Sequence, residues 1–128
     1  MDIGALIVVT GSMEPTINIK ELVIIKEQKE YNVRDIVTYK DTNNNFVTHR
    51  IVSKVENTVV TRGDNNTVSD EPIKLKNIEG KVCFHSIVLG ELFLYWIKPI
   101  LILVIVYWGL NIIKTIYISN KERRKIEN

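Results

Sequence analysis

Residues 46–55 read FVTHRIVSKV, a run in which valine, isoleucine, threonine and phenylalanine prevail. Such β-branched and aromatic residues favour extended backbone, and the Asn43–Asn45 run before them is typical of a turn. In a strand, side chains alternate between two faces, so Val47, His49 and Ile51 share one face, the apolar one. This stretch therefore predicts a β-strand that presents a histidine on its apolar side.

Shorter runs of β-forming residues lie on both sides of this strand, separated by turn residues such as those of the Gly63–Asn66 segment. These runs are Leu22–Ile25, Asp35–Tyr39, Thr58–Thr61 and Lys81–Phe84. Before residue 90 there is no amphipathic pattern long enough for a helix. Short strands at this spacing predict an all-β domain, either a barrel or a sandwich.

Chain length, net charge and cysteine count argue against several classes of function. The chain has 128 residues and a net charge of +2, which suits one small domain and argues against a nucleic-acid-binding surface. Cys83 is the sole cysteine, so an internal disulfide and a cysteine-based metal cluster are both excluded. The Gly63–Asp70 segment lacks the spacing of a calcium-binding loop, so we predict no metal site and no cofactor.

The C-terminal third has a different character. Residues 99–113 read PILILVIVYWGLNII, and with their apolar flanks they provide roughly 20 residues, enough to cross a bilayer as a helix. A basic cluster at residues 121–125 then predicts a cytoplasmic C-terminus. We therefore divide the chain into an extracytoplasmic β domain (1–91), a transmembrane segment (92–118) and a cytoplasmic basic tail (119–128). A buried core helix is the alternative, but the domain is too small to enclose one.

An extracytoplasmic β domain must be exported across the membrane, and the N-terminal residues do not explain how. Ile3–Val9 is apolar but too short to span a membrane, and no signal peptide is recognisable. Either the C-terminal helix carries the domain across, or a helix precedes Met1 in the natural protein. We favour the second explanation.

Three polar positions could carry chemistry. Ser12 follows a glycine in a turn whose exit contains a proline, and a nucleophilic serine requires such a constrained, exposed turn. His49 could act as a general base, although a lone histidine on an apolar face is more often structural. Asp64 or Asp70 could orient that histidine, although a polar turn is the simpler interpretation. From the residues alone, both assignments stay open.

The motifs resemble those of signal peptidase I, in the branch of archaeal, endoplasmic-reticulum and SipW-like members. The sequence GSMEPT at residues 11–16 is similar to the family's nucleophile motif, and HRIV at 49–52 to the motif in which histidine replaces the bacterial lysine. DIV at 35–37 and GDNN at 63–66, followed by Asp70, are similar to two further motifs. The resemblance covers about residues 7–118, in the family's order.

This resemblance implies a mainly β fold, namely a small, mostly antiparallel β domain followed by a C-terminal transmembrane helix. It implies a membrane-bound serine endopeptidase that removes signal peptides, in the cell membrane or the endoplasmic-reticulum membrane. Ser12 would be the nucleophile, His49 the general base and Asp70 the acid of the triad. Asp64 would be a supporting carboxylate, and Thr10 would assist the oxyanion hole.

The resemblance implies two partners, membrane lipid and signal peptides, which would lie extended against a strand edge. It allows additional subunits and implies no nucleic-acid partner. Three positions depart from the family pattern: Arg34, where glycine is usual, Glu71, where arginine is frequent, and Ile19–Glu21, in place of an Arg-Gly-Asp-like stretch. His85 matches no functional position, which predicts a structural role. The main alternative is a catalytically idle membrane-anchored β domain, an interaction module or truncated paralogue. A self-cleaving regulator would need a DNA-binding domain and a catalytic lysine where His49 stands.

Overall fold

A seven-stranded antiparallel sheet forms the N-terminal part of the chain in the computed structural model, which describes the backbone of residues 2–126 and the side chains of residues 2–124. The strands are β1 (Ile3–Ile7), β2 (Leu22–Lys26), β3 (Ile36–Lys40), β4 (Phe46–Val55), β5 (Thr58–Arg62), β6 (Ile73–Lys74) and β7 (Ile78–Ser86). Their order across the sheet is β1-β2-β7-β3-β4-β5-β6. The predicted mainly β, antiparallel fold is confirmed.

The strands predicted from composition correspond to β2, β3, β4, β5 and β7, and both ends of β4 coincide with the prediction. Strand β1 was not predicted, because Gly4 and Ala5 weaken its β-forming character and its partner β2 lies 15 residues downstream of its end. Strand β6 has two residues, too few for a recognisable pattern.

Two small apolar clusters make up the core. One contains Tyr31, Val37, Ile51, Val59 and Ile78. Tyr31 precedes β3, and the other four lie on β3, β4, β5 and β7 in that order. The other contains Met13, Ile17, Val23 and Ile25. Two of its four members belong to the segment between β1 and β2, so that segment is held against the sheet by burial of its own side chains.

The turn before β3 contains a strained backbone. Arg34 has a φ of 81°, in the left-handed region that a glycine adopts at little cost and other residues adopt at about 1 kcal/mol or more. Its amide donates to the carbonyl of Ile51 over 2.9 Å, which ties the turn to β4. The arginine at this position therefore carries a backbone cost that a glycine would not.

Helical structure occupies the C-terminal part. The chain divides into two compact units, Met1–Glu91 and Leu92–Asn128. The first unit ends with a short helix, α1 (Ile87–Glu91). The second unit contains a π-helical turn (Leu92–Ile97) and the helix α2 (Lys98–Ile126). The helical stretch Ile87–Arg124 is long and apolar enough to cross a membrane, judged by length and composition. Apart from Leu94, its large apolar side chains are exposed, as lipid-facing side chains would be.

Candidate active site

The segment between β1 and β2 presents Ser12 on a compact turn. The amide of Glu14 donates to the Gly11 carbonyl over 3.2 Å, and the amide of Ile17 to the Met13 carbonyl over 3.0 Å. The side chains of Met13 and Ile17 are almost completely buried and anchor the turn. Ser12 itself remains partly exposed, as a nucleophile must be.

His49 lies in the middle of β4, on the face that also carries the core residue Ile51, as the alternation of the strand predicts. It is 6% exposed. Its Nε2 is 3.0 Å from the Ser12 hydroxyl oxygen, and its Nδ1 is 2.6 Å from Oδ2 of Asp70. The structure thus brings together residues of a turn, a strand and a loop. Along the chain, Ser12 and His49 are 37 positions apart, and His49 and Asp70 are 21 positions apart.

The two ring nitrogens of His49 have different partners, and this decides the tautomer. An ionised carboxylate can only accept a hydrogen bond, so Nδ1 carries the proton that Asp70 accepts. In the neutral ring, Nε2 is then an acceptor that can take the proton of the Ser12 hydroxyl. Chemically, the arrangement is suited to deprotonating a serine as it attacks an electrophile.

Asp64 occupies a different environment from Asp70. Its Oδ1 accepts from Nε of Arg50 over 2.8 Å, and its Oδ2 accepts from Nη2 of Arg50 over 2.6 Å and from the Thr16 hydroxyl over 2.5 Å. The hydrogen bonds from Arg50 hold the pKa of Asp64 below its usual value, against a smaller opposing effect of burial. Side chains of β4 and of the turn that carries Ser12 therefore bind Asp64.

Alternation along β4 explains why the two carboxylates separate. His49 and Arg50 are consecutive, so their side chains leave the strand on opposite faces. One face receives Asp70 and the other receives Asp64. Sequence reasoning did not identify Arg50, although a charged residue directly after a candidate catalytic residue in a strand was a usable signal.

The loop that carries these carboxylates also touches the backbone of the serine turn. The amide of Asn65 donates to the Ser12 carbonyl over 2.8 Å, and its side-chain amide donates to the Gly11 carbonyl over 3.2 Å. A Cβ atom on Gly63 would lie 2.5 Å from the Ser12 carbonyl oxygen. This close approach requires a glycine, and it couples the position of Ser12 to the loop.

An apolar cleft of about 810 Å³ opens beside Ser12 and His49. Its walls come from two stretches of chain, 6–13 without Gly11 and 44–49, with Ile17 and Asn66 completing the lining. The first stretch continues from β1, which is a terminal strand of the sheet. The second includes the beginning of β4, where β5 does not pair, since β5 reaches only as far as Arg50. Unpaired strand backbone therefore borders the cleft.

The remaining candidate residues lie as follows. Thr10 lines the cleft close to Ser12 in sequence and is exposed, so its contribution to an oxyanion hole stays a prediction. His85 does not join Ser12 and lies with its Nδ1 2.5 Å from Oε2 of the buried Glu21. Burial acts to raise the pKa of Glu21, but hydrogen bonds from Asn18 and His85 together lower it below its usual value. Among the described side chains, no three His, Cys, Asp or Glu residues group as metal ligands would.

Comparisons with known proteins support the motifs in part. No family model matches the chain. Over 82 residues the chain is 35% identical to "Signal peptidase I W" of Bacillus subtilis (strain 168), a match that covers 58% of this chain and 43% of that protein. The chain therefore spans less than half the length of this curated relative, and it is similar to a signal peptidase I over that part.

Proposed function

We propose that the chain is a membrane-bound serine endopeptidase that cleaves signal peptides from exported preproteins. The observation that carries the proposal is the continuous hydrogen-bonded series Ser12–His49–Asp70 at the edge of an apolar cleft. The similarity to a signal peptidase I and a helix able to cross a membrane support the choice of substrate and location.

In this reaction, His49 Nε2 accepts the Ser12 proton while the serine oxygen attacks the carbonyl carbon of the scissile bond. Asp70 keeps the imidazole in the required tautomer and stabilises its positive charge. The Ser12 amide and the Thr10 hydroxyl would donate hydrogen bonds to the oxyanion. His49 then protonates the leaving amine, and water activated by the same imidazole hydrolyses the acyl-enzyme.

The substrate would bind as an extended strand. The unpaired backbone bordering the cleft offers donors and acceptors to a peptide main chain, and the apolar walls suit small apolar side chains before the cut. A preprotein with alanine at those positions should therefore be cut, and one with bulky residues there should not.

The test uses the full chain in detergent with a preprotein substrate. Ser12→Ala and His49→Ala should each lower cleavage on the order of 10³-fold or more, with combined loss no larger, because the residues act as a unit. Ser53→Ala on the exposed part of β4 and His85→Gln are matched controls and should keep near-normal activity. Normal cleavage by the Ser12→Ala protein would reject the proposal.

An idle membrane-anchored β domain is the competing function, and it differs in one chemical property. A serine-directed fluorophosphonate should label Ser12 in the wild-type chain, and labelling should fall with His49→Ala. An idle domain would show no labelling in either protein. This measurement needs no knowledge of the natural substrate.

For orientation, we propose that the β domain is extracytoplasmic and the C-terminus cytoplasmic, because the basic residues 121–125 follow the apolar span. Single cysteines at Asn44 and at Asn128, which lies outside the described residues, would be probed in a Cys83→Ser background with an impermeant maleimide on intact cells. Labelling at position 44 alone agrees with the proposal. Labelling at position 128 alone would invert it.

A further inference from the structure

Three donors converge on one oxygen of Asp70. Oδ2 lies 2.6 Å from His49 Nδ1, 2.7 Å from the hydroxyl of Thr61 and 3.1 Å from the hydroxyl of Tyr39. The two hydroxyls are themselves 3.3 Å apart. His49 therefore shares its carboxylate partner with two hydroxyl groups that the motifs do not include.

The hydroxyls come from the strands on either side of β4. Tyr39 is on β3 and Thr61 is on β5, which both pair with β4, and in register Val37 faces His49 while Thr61 faces Ile51. Tyr39 is 5% exposed and Thr61 is fully buried. Both donors are therefore fixed by the sheet.

Asp70, in contrast, lies in an irregular segment between β5 and β6, where no strand pairing sets its position. Its amide donates to the Thr61 carbonyl over 2.8 Å, which holds its backbone beside β5. The direction of its side chain depends on what binds the carboxylate. Since a carboxyl group rotates about a soft torsion, hydroxyls on Oδ2 select one rotation.

The direction of the tyrosine hydrogen bond is also determined. Burial raises the pKa of Tyr39 to about 12, and the nearby negative charge of Asp70 contributes to this rise. The hydroxyl therefore stays protonated at any pH at which the site would work, and toward a carboxylate it can only donate. Asp41 also acts on Tyr39, whereas the Asp64 carboxylate binds Arg50 on the opposite face of β4.

We propose that Tyr39 and Thr61 are positioning residues that hold Oδ2 of Asp70 against Nδ1 of His49. Their kinetic effect rests on the function proposed above, whereas their effect on the His49 ring does not. If they served only as core residues, their hydroxyls could be removed without a change at the ring.

The experiment removes each hydroxyl with little change of shape. Tyr39→Phe and Thr61→Val would be made in the full chain labelled with ¹⁵N-histidine, and the His49 Nδ1–H resonance would be followed by NMR. Thr61→Ser keeps a hydroxyl at this position and should therefore give the wild-type resonance. Thr38→Val is the matched control, because Thr38 is buried on β3 but its hydroxyl binds Thr48.

We expect the resonance to shift or to vanish through solvent exchange in Tyr39→Phe and Thr61→Val, and to stay in place in Thr61→Ser and Thr38→Val. In cleavage assays, the first two variants should lose about tenfold in kcat with KM unchanged, since they act through Asp70 and not on the substrate. An unchanged resonance in both hydroxyl-free variants would overturn the inference, as would an equal change in Thr38→Val.

The two proposals fail in different ways. If the wild-type chain cleaves no preprotein but the resonance responds as expected, the positioning of Asp70 stands and the proposed peptidase function is rejected. If Tyr39→Phe does not fold, comparison of Thr61→Val with Thr61→Ser still decides the matter, because these two differ in whether the hydroxyl is present.

Discussion

The ion pair between Asp64 and Arg50 allows a quantitative prediction for the substitution Asp64→Asn. The carboxylate receives two hydrogen bonds from the guanidinium and one from Thr16, at 2.5–2.8 Å. Hydrogen bonds to charged groups contribute about 1.5–3 kcal/mol when buried, whereas exposed ion pairs contribute about 0.2–1 kcal/mol. Because the two side chains are 17% and 30% exposed, we expect a loss of about 1–2 kcal/mol.

For a domain of this size, such a loss lowers Tm by roughly 5–15 °C. The effect should depend on pH in a defined direction. The pKa of Asp64 is lower in the folded chain than in the unfolded one, so the pair stabilises the fold above about pH 4 and this contribution is lost as pH falls through the folded-state value. The Tm difference between wild type and Asp64→Asn should therefore be full at pH 7 and shrink below about pH 4.

Thermal unfolding followed by circular dichroism would measure this difference. Glu71→Gln is the control, because it removes one negative charge at an exposed position of the segment that follows β5. Its Tm should change little. Two results would refute the reasoning: an Asp64→Asn protein as stable as wild type at pH 7, or a Tm difference that is the same at pH 3 and pH 7.

Three further substitutions test the site and its surroundings. Asp70→Asn should leave the chain folded and lower kcat on the order of 10³-fold, measured by preprotein cleavage, because the amide favours the wrong imidazole tautomer; near-normal turnover would contradict this role. Gly63→Ala should reduce both Tm and fluorophosphonate labelling, because the added Cβ would lie 2.5 Å from the Ser12 carbonyl oxygen; unchanged labelling would show that the loop can yield. Arg34→Gly should raise stability in urea unfolding by up to about 1 kcal/mol by relieving its left-handed backbone, and a loss would mean that the arginine side chain contributes more than the strain costs.

Local composition was sufficient for most of the regular elements. Five strands follow from β-branched and aromatic runs bounded by turn residues, and the apolar helix follows from its length and lack of charge. These are properties of neighbouring residues, which is why they can be read along the chain. Strand β1 could not, because its Gly4 and Ala5 have no β preference and its extended form depends on pairing with β2.

The sequence by itself determined which residues were candidates, since Ser12, His49, Asp64 and Asp70 stand in recognisable motifs. The tertiary structure alone decided how they meet. Residue spacing cannot tell which carboxylate approaches His49. That choice results from the opposite faces of β4 and from the path of the loop. The hydroxyls of Tyr39 and Thr61 reach Asp70 because β3 and β5 flank β4, and strand order is set by long-range pairing that local sequence does not encode.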